Sequence, residues 1–138
     1  MPEEKVRHAS CECGAVTLTA RGEPGAVVAC HCEDCQKRTG SPFAVGAYYD
    51  LEQVNVAGDT TSYTRPAQDG RSLTQHFCKV CGGNVYYYAE KHAGGVGVPV
   101  GMFTDLDFPP PARSVWEQSK HDWVTIPDVS HHPQSRES

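Results

Sequence analysis

The sequence contains no apolar run near the ~20 residues that a membrane-spanning helix needs. Its opening stretch, MPEEKVRHAS, has no hydrophobic region of the kind that directs export. The expected compartment is therefore the cytosol, away from any membrane. There is no excess of positive charge either: 12 Lys and Arg stand against 17 Asp and Glu, for a formal net charge of −5. With no basic stripe to offset this, a nucleic-acid partner is excluded. A phosphate-binding loop is missing too, since Gly94-Gly95-Val96-Gly97 is followed by neither a helix nor Lys-Ser/Thr, and no Ser sits in a nucleophile elbow. No repeat and no long 3.6-residue period appears, and 138 residues leave no room for a second core. The expectation is one domain, residues 1–130, with a loose polar tail at 131–138.

Most of the chain reads as short strands broken by Gly, Pro and Asp. Strands are expected at 15–20, 26–31, 43–49, 53–57, 60–65, 72–78, 85–89 and 95–100, with late ones at 115–116 and 123–126. Short helical turns fit 33–39 and 50–53. The predicted architecture is mainly β.

Cysteine is where the information lies. All seven fall into chelating clusters: Cys11 and Cys13, then Cys30, Cys32 and Cys35, then Cys78 and Cys81. An odd number in a reducing compartment argues against a disulfide framework, and short spacings repeated three times are a metal signature. Zinc takes four ligands in a closed structural site and often three protein ligands in a catalytic one. Seven thiolates divide accordingly: Cys11, Cys13, Cys78 and Cys81 as one site, Cys30, Cys32 and Cys35 as the other. Spacing alone leaves open which pair joins which. A closed zinc site contributes roughly 10–16 kcal/mol, comparable to a whole domain's net stability of about 5–15 kcal/mol, so the four-cysteine site reads as structural.

The three-cysteine site reads differently. In an extended C-x-C, Cys30 and Cys32 share a face and His31 points away, so His31 is not an expected ligand. Three thiolates leave Zn²⁺ with a formal charge of −1, a weak Lewis acid suited to holding a fourth soft ligand as thiolate. An incoming thiol fits that vacancy. Other residues carry less. His76 shares a strand face with Cys78 and is within possible reach of a metal or its surroundings, or else a surface histidine; His121 is open in the same way, and His131 and His132 read as solvated. Glu33 and Asp34 lie beside the cluster as turn residues or candidate bases, and Lys37 and Arg38 follow Cys35 as a solvated pair or anion contacts. An anionic substrate would need a basic patch that no run of residues marks.

The motifs C-E-C-G (11–14), C-H-C-E-D-C-Q-K-R-T-G-S (30–41) and F-C-K-V-C-G (77–82) resemble the glutathione-dependent formaldehyde-activating enzyme (GFA) family. The later run G-M-F-T-D-L-D-F-P-P (101–110), with Trp116 and Trp123, is similar to that family's C-terminal signature. Ser114 stands where the family commonly has His. The resemblance implies an Mss4-like β-tent of packed antiparallel sheets with few short helical turns. It implies two zinc ions per chain, a structural one on Cys11, Cys13, Cys78 and Cys81 and a catalytic one on Cys30, Cys32 and Cys35. It implies a carbon–sulfur lyase that joins glutathione to formaldehyde as S-hydroxymethylglutathione. Three readings follow for this chain: such an enzyme, acting on glutathione or a related thiol and a small aldehyde; a zinc-stabilised binding or scaffold module; and a redox protein in which Cys30, Cys32 and Cys35 are reactive thiols.

Overall fold

The computed structural model describes residues 4–67 and 70–135. Strand β1 (Val6–Ser10) turns Arg7 and Ala9 inward, and β2 (Thr17–Arg21) turns in Leu18 and Ala20. The two pair antiparallel from Val6↔Arg21 to Ser10↔Thr17. Beyond a strand pair that belongs to the second sheet, β5 (Val54–Ala57) adds to β2 and completes a three-stranded sheet.

The larger sheet has eight strands. Strand β3 (Ala26–Cys30) leads into the one α-helix among the described residues, α1 (Glu33–Thr39), which closes where the Gly40 N–H returns to Gln36. Strand β4 (Ala44–Asp50) then pairs with β3, and a short 3₁₀ turn at Leu51–Gln53 leads to β5. Next come β6 (Thr60–Pro66), β7 (Ser72–Cys78), β8 (Asn84–Ala89) and β9 (Gly95–Pro99), with β10 (Arg113–Val115) and β11 (Ser130–His131) at the far edge. The order across the sheet is β11-β10-β3-β4-β9-β8-β7-β6. The protein is mainly β, as the strand pattern predicts. Pairing is antiparallel from β3 to β6, whereas β10 runs parallel to β3 and β11 parallel to β10.

The inner faces of both sheets meet in one core that includes Ala9, Val16, Leu18, Val27, Ala47, Tyr49, Val85, Val98 and Phe103. Alternation along the strands places these residues, each sending every second side chain inward. Arg7 is the exception in that pattern. Only 2% exposed, it bonds Glu23 at 3.1 and 3.2 Å, Asp105 at 2.8 Å and Asp107 at 3.2 Å, and lies 4.8 Å over the Phe108 ring. Lys5 also reaches Asp107, so the acidic pair of the 101–110 run ties that segment to β1.

Two expectations are corrected. Residues 123–126 form no strand: the Val124 N–H turns back to His121 O at 3.0 Å, and Trp123 lies exposed and stacked on His121. Pro127 blocks continuation there, because it offers no N–H to a ladder. Nor is the segment from His131 loose through Gln134. Trp116, Glu117 and Gln118 donate to the carbonyls of Gln134, His132 and Pro133, and the His132 N–H bonds Ser114 O. Backbone pairing supplies what its polar side chains do not. Residues 136–138 lie outside the described part. No helix among the described residues is long and apolar enough to cross a membrane.

Candidate metal centres

Cys11 and Cys13 sit in the turn between β1 and β2, while Cys78 ends β7 and Cys81 lies in the turn from β7 to β8. The second turn is closed by Gly82 N–H to Cys78 O and Cys78 N–H to Gly83 O, both 2.9 Å. Just before it, the β7–β8 register steps from His76↔Tyr86 to Phe77↔Asn84, an irregularity of the kind that re-aims the side chains beside it. The four sulfurs lie within 4.8 Å of one another, with Cys11–Cys13 at 3.7 Å and Cys13–Cys78 at 3.6 Å. Four thiolates around one ion at ~2.3 Å stand ~3.8 Å apart, so this set fits a tetrahedral metal. Backbone N–H groups already point at the sulfurs: Val16 to Cys11 at 3.4 Å, Ala15 to Cys13 at 3.5 Å and Val80 to Cys78 at 3.3 Å. Backbone donors from Cys13 and Gly83 bring the Cys81 thiol down to about 6. Thiolates supported in this way are prepared ligands.

Cys30 ends β3, Cys32 is the N-cap of α1, and Cys35 lies in its first turn. Their sulfurs also converge within 4.8 Å, and Cys32 Sγ accepts the Cys35 N–H at 3.3 Å. Hydrogen bonds from Cys30, then Cys32, then the charge of Arg38 hold the Cys35 thiol far below its ordinary value. Sharing with Cys32 and Cys35, with burial added, pushes Cys30 up. A metal cation would take all three as thiolates. Both clusters could therefore hold a metal ion, and among the described residues no further group of three or more His, Cys, Asp or Glu does so.

His31 points away from this cluster, as the C-x-C geometry predicts. It is fully buried, tilted against Phe43 at 5.5 Å, with Nε2 2.8 Å from Ser114 Oγ; burial lowers its pKa and keeps the ring neutral. His76 joins neither cluster; its ring stacks on Tyr86 at 4.6 Å and meets Thr60 Oγ1 at 3.2 Å. Asp34 pairs with Arg65 at 3.2 Å, and Glu33 is exposed. Of the basic pair, Lys37 faces solvent, whereas Arg38 turns inward.

Beside Cys30, Cys32 and Cys35 lies a cavity of about 140 Å³. Arg38 lines it, bonded to Asn84 Oδ1 at 2.9 Å, 3.7 Å from Cys35 Sγ, and 4.7 Å over the Tyr87 ring. The Tyr87 hydroxyl donates to Tyr48 at 3.3 Å, and burial raises the pKa of both phenols, so both keep their protons. Tyr87 can lie flat across the neighbouring strands because two positions have no side chain. A Cβ on Gly97 would stand 2.4 Å from its ring, and one on Gly46 2.1 Å from its hydroxyl. Trp116 forms another wall, packed against the cluster of Cys32, Cys35 and Ala44. Its backbone is left-handed (φ 57°, ψ 38°), a conformation bulky residues rarely adopt. Sequence reading offered Arg38 as an anion contact but missed Tyr48 and Tyr87, and also Arg65, Arg71, Lys91 and Arg113, which complete the lining from separate elements.

Two cysteine clusters that could each hold a metal ion, one of them beside a cavity, sit on a two-sheet β framework. The sequence profile of the glutathione-dependent formaldehyde-activating enzyme family matches residues 6–119, and the chain belongs to that family. A solved crystal structure of a Rhodobacter sphaeroides protein is similar in fold, with a TM-score of 0.58 at 22% identity, covering 72% of this chain and 90% of that one. Among curated proteins none matches.

Proposed function

We propose that the protein is a zinc enzyme of carbon–sulfur chemistry that adds a thiol, such as glutathione, to formaldehyde or a related small aldehyde. The observation that carries this reading is the cavity beside Cys30, Cys32 and Cys35. Three thiolates leave one coordination position, and that position is served by a space with cationic walls and protonated phenols. Sulfur-only donor sets favour zinc among the common divalent ions. Cys11, Cys13, Cys78 and Cys81 would supply all four ligands of a second zinc, whose role would then be structural. Bound at Cys30, Cys32 and Cys35, zinc would supply a fourth position that takes a thiol as thiolate.

The chain's own residues do the rest. Arg38, 3.7 Å from Cys35 Sγ, offsets the negative charge gathered by the sulfurs. Cationic walls hold the carboxylates of the thiol, which fixes its sulfur before the aldehyde arrives. In the addition the sulfur lone pair forms the S–C bond, the carbonyl π pair moves to oxygen, and the proton released by the thiol ends on that oxygen. Tyr87 donates to Tyr48, which leaves the Tyr48 hydroxyl hydrogen to meet the developing alkoxide. The product is a hydroxymethyl thioether, with no redox change.

The test is the exchange rate between thiol, formaldehyde and adduct, read by NMR on zinc-loaded protein. The protein should accelerate exchange over the uncatalysed reaction, and Cys32→Ser should abolish the acceleration while the melting transition remains. If wild type shows no acceleration with any thiol–aldehyde pair, or Cys32→Ser keeps it all, the reading is wrong and a binding module takes its place.

A further inference from the structure

Thiolates at Cys30, Cys32 and Cys35 gather negative charge, and a thiol taken there as thiolate adds more. Arg38 is the cation set against that charge, with a guanidinium nitrogen 3.7 Å from Cys35 Sγ. Among the described residues it has one other hydrogen-bond acceptor, Asn84 Oδ1 at 2.9 Å, and its buried Nε finds none. The Tyr87 ring, 4.7 Å away, sets the distance of the guanidinium and leaves its direction loose. The bond to Asn84 sets the direction.

Asn84 owes its place to the other cluster. It follows Cys81 by three residues, as Arg38 follows Cys35 by three. Between them Gly83 lies against the four cysteines: a Cβ on it would stand 3.4 Å from both Cys81 Sγ and Cys11 Cβ, and its carbonyl accepts the Cys78 N–H at 2.9 Å. Regular alternation along β8 would put Asn84 on the face of Tyr86, in the core. The register step after His76 pairs Asn84 with Phe77 instead, and its amide emerges beside Gln75 on the face of Tyr87, with Nδ2 donating to Gln75 Oε1 at 3.4 Å. With its nitrogen so engaged, the amide turns its oxygen to Arg38. The turn that carries one cysteine cluster therefore fixes a contact of the other. We propose that Asn84 is a positioning residue: by aiming the Arg38 guanidinium at Cys35, it sets how tightly the three-cysteine centre holds a metal ion and a further, thiolate ligand. Contacts one step out from the ligands are commonly worth about 10–100-fold in metal affinity. This inference rests on the reading of Cys30, Cys32 and Cys35 as a thiol-accepting metal centre.

The test uses the full chain loaded with cadmium-113, whose NMR resonance moves with the number of sulfurs around the ion, so each centre reports separately. Competition with a chelator gives the affinity of each. Asn84→Leu, close in shape and without an acceptor, should weaken metal binding at Cys30, Cys32 and Cys35 by about 10-fold and shift that resonance, with the four-cysteine resonance unmoved. It should also raise the concentration of 2-mercaptoethanol needed to move the three-cysteine resonance. Arg38→Met should reproduce these changes, and adding Asn84→Leu to Arg38→Met should cost nothing further, a result that a packing role alone does not give. Asn84→Ala, which adds no bulk, carries the same comparison if the leucine variant does not fold. Losses that add in the double variant, or that fall equally on both centres, overturn the proposal and leave Asn84 as a support of the fold. An unchanged resonance and affinity at the three cysteines in Asn84→Leu overturn it too, with the metal centre standing. Wild type that binds cadmium only at the four cysteines, or whose second resonance no thiol moves, overturns the thiol-accepting centre and the proposal with it.

Discussion

Replacing Gly97 by alanine would test how Tyr87 and Arg38 are held beside the sulfurs. The new methyl group would meet three Tyr87 ring atoms at 2.4, 2.5 and 2.9 Å, where carbon atoms rest ~3.5–4.0 Å apart. The ring must therefore shift by about 1 Å, although it is only 3% exposed, bonded to Tyr48 and covered by Arg38. Overpacking of this kind costs roughly 1–3 kcal/mol, and losing the stacked guanidinium roughly 0.5–2 kcal/mol more. Reduced entropy of the unfolded chain offsets about 0.4–1 kcal/mol of that. The net loss is about 1–4 kcal/mol, which at ~3–5 °C per kcal/mol for a chain of this length lowers Tm by about 3–20 °C. Gly101→Ala is the control, since nothing stands within 4 Å of its added carbon. Thermal melts of both variants, with thiol affinity by calorimetry, make the comparison. Gly97→Ala should melt lower and bind thiol more weakly, while Gly101→Ala should match wild type. If the two variants melt together and bind alike, Tyr87 does not rest on the bare backbone of β9 and the account of the cavity is wrong.

A metal held by Cys11, Cys13, Cys78 and Cys81 would close a loop of 65 residues, worth about 4 kcal/mol in closure entropy alone, so chelation should unfold the chain as followed by circular dichroism. Arg7→Met should destabilise by roughly 2–4 kcal/mol in urea titrations, since it dissolves the buried ion cluster between β1 and the 105–108 segment. The same cluster sets an acid dependence. Bonds from Lys5 and then Arg7 lower the pKa of Asp107, so its contribution is complete above the ordinary carboxylate range and is lost as pH falls through the folded value. A melting series against pH should therefore show a shallower acid limb for Asp107→Asn than for wild type. Trp116→Gly should be more stable than Trp116→Ala by about 1 kcal/mol, reversing the usual order, because both lose the indole and only glycine accepts the left-handed backbone without strain.

Much of this was legible in the sequence because it is written locally. Alternation and turn residues mark β7 at Ser72–Cys78 to the residue, and cysteine spacing marks both clusters. Strand β1 escaped because its inward position is Arg7, a charge that breaks the apolar alternation and is satisfied only by residues from Glu23 and the 105–107 stretch. Strand β11 escaped because two residues held by backbone pairing carry no side-chain signal. The cationic cavity escaped for a third reason. Its arginines and lysine come from α1, β6, β7's entry, the turn after β8 and β10, so charges gathered in space are scattered along a stretch of 75 residues.

The parallel pairing of β10 on β3 also imposes an order on synthesis. Cys30 pairs with Val115, and Trp116 is fixed by a bond from its N–H to Gln134 O. A growing chain therefore carries Cys30, Cys32 and Cys35 for about a hundred residues before their last wall exists, roughly 5–20 s at ordinary rates of elongation. During that interval the three thiols are open to oxidants and to any passing soft metal. Capture of the right ion early, by the thiols alone, would keep them from both fates until the C-terminal strands close over them.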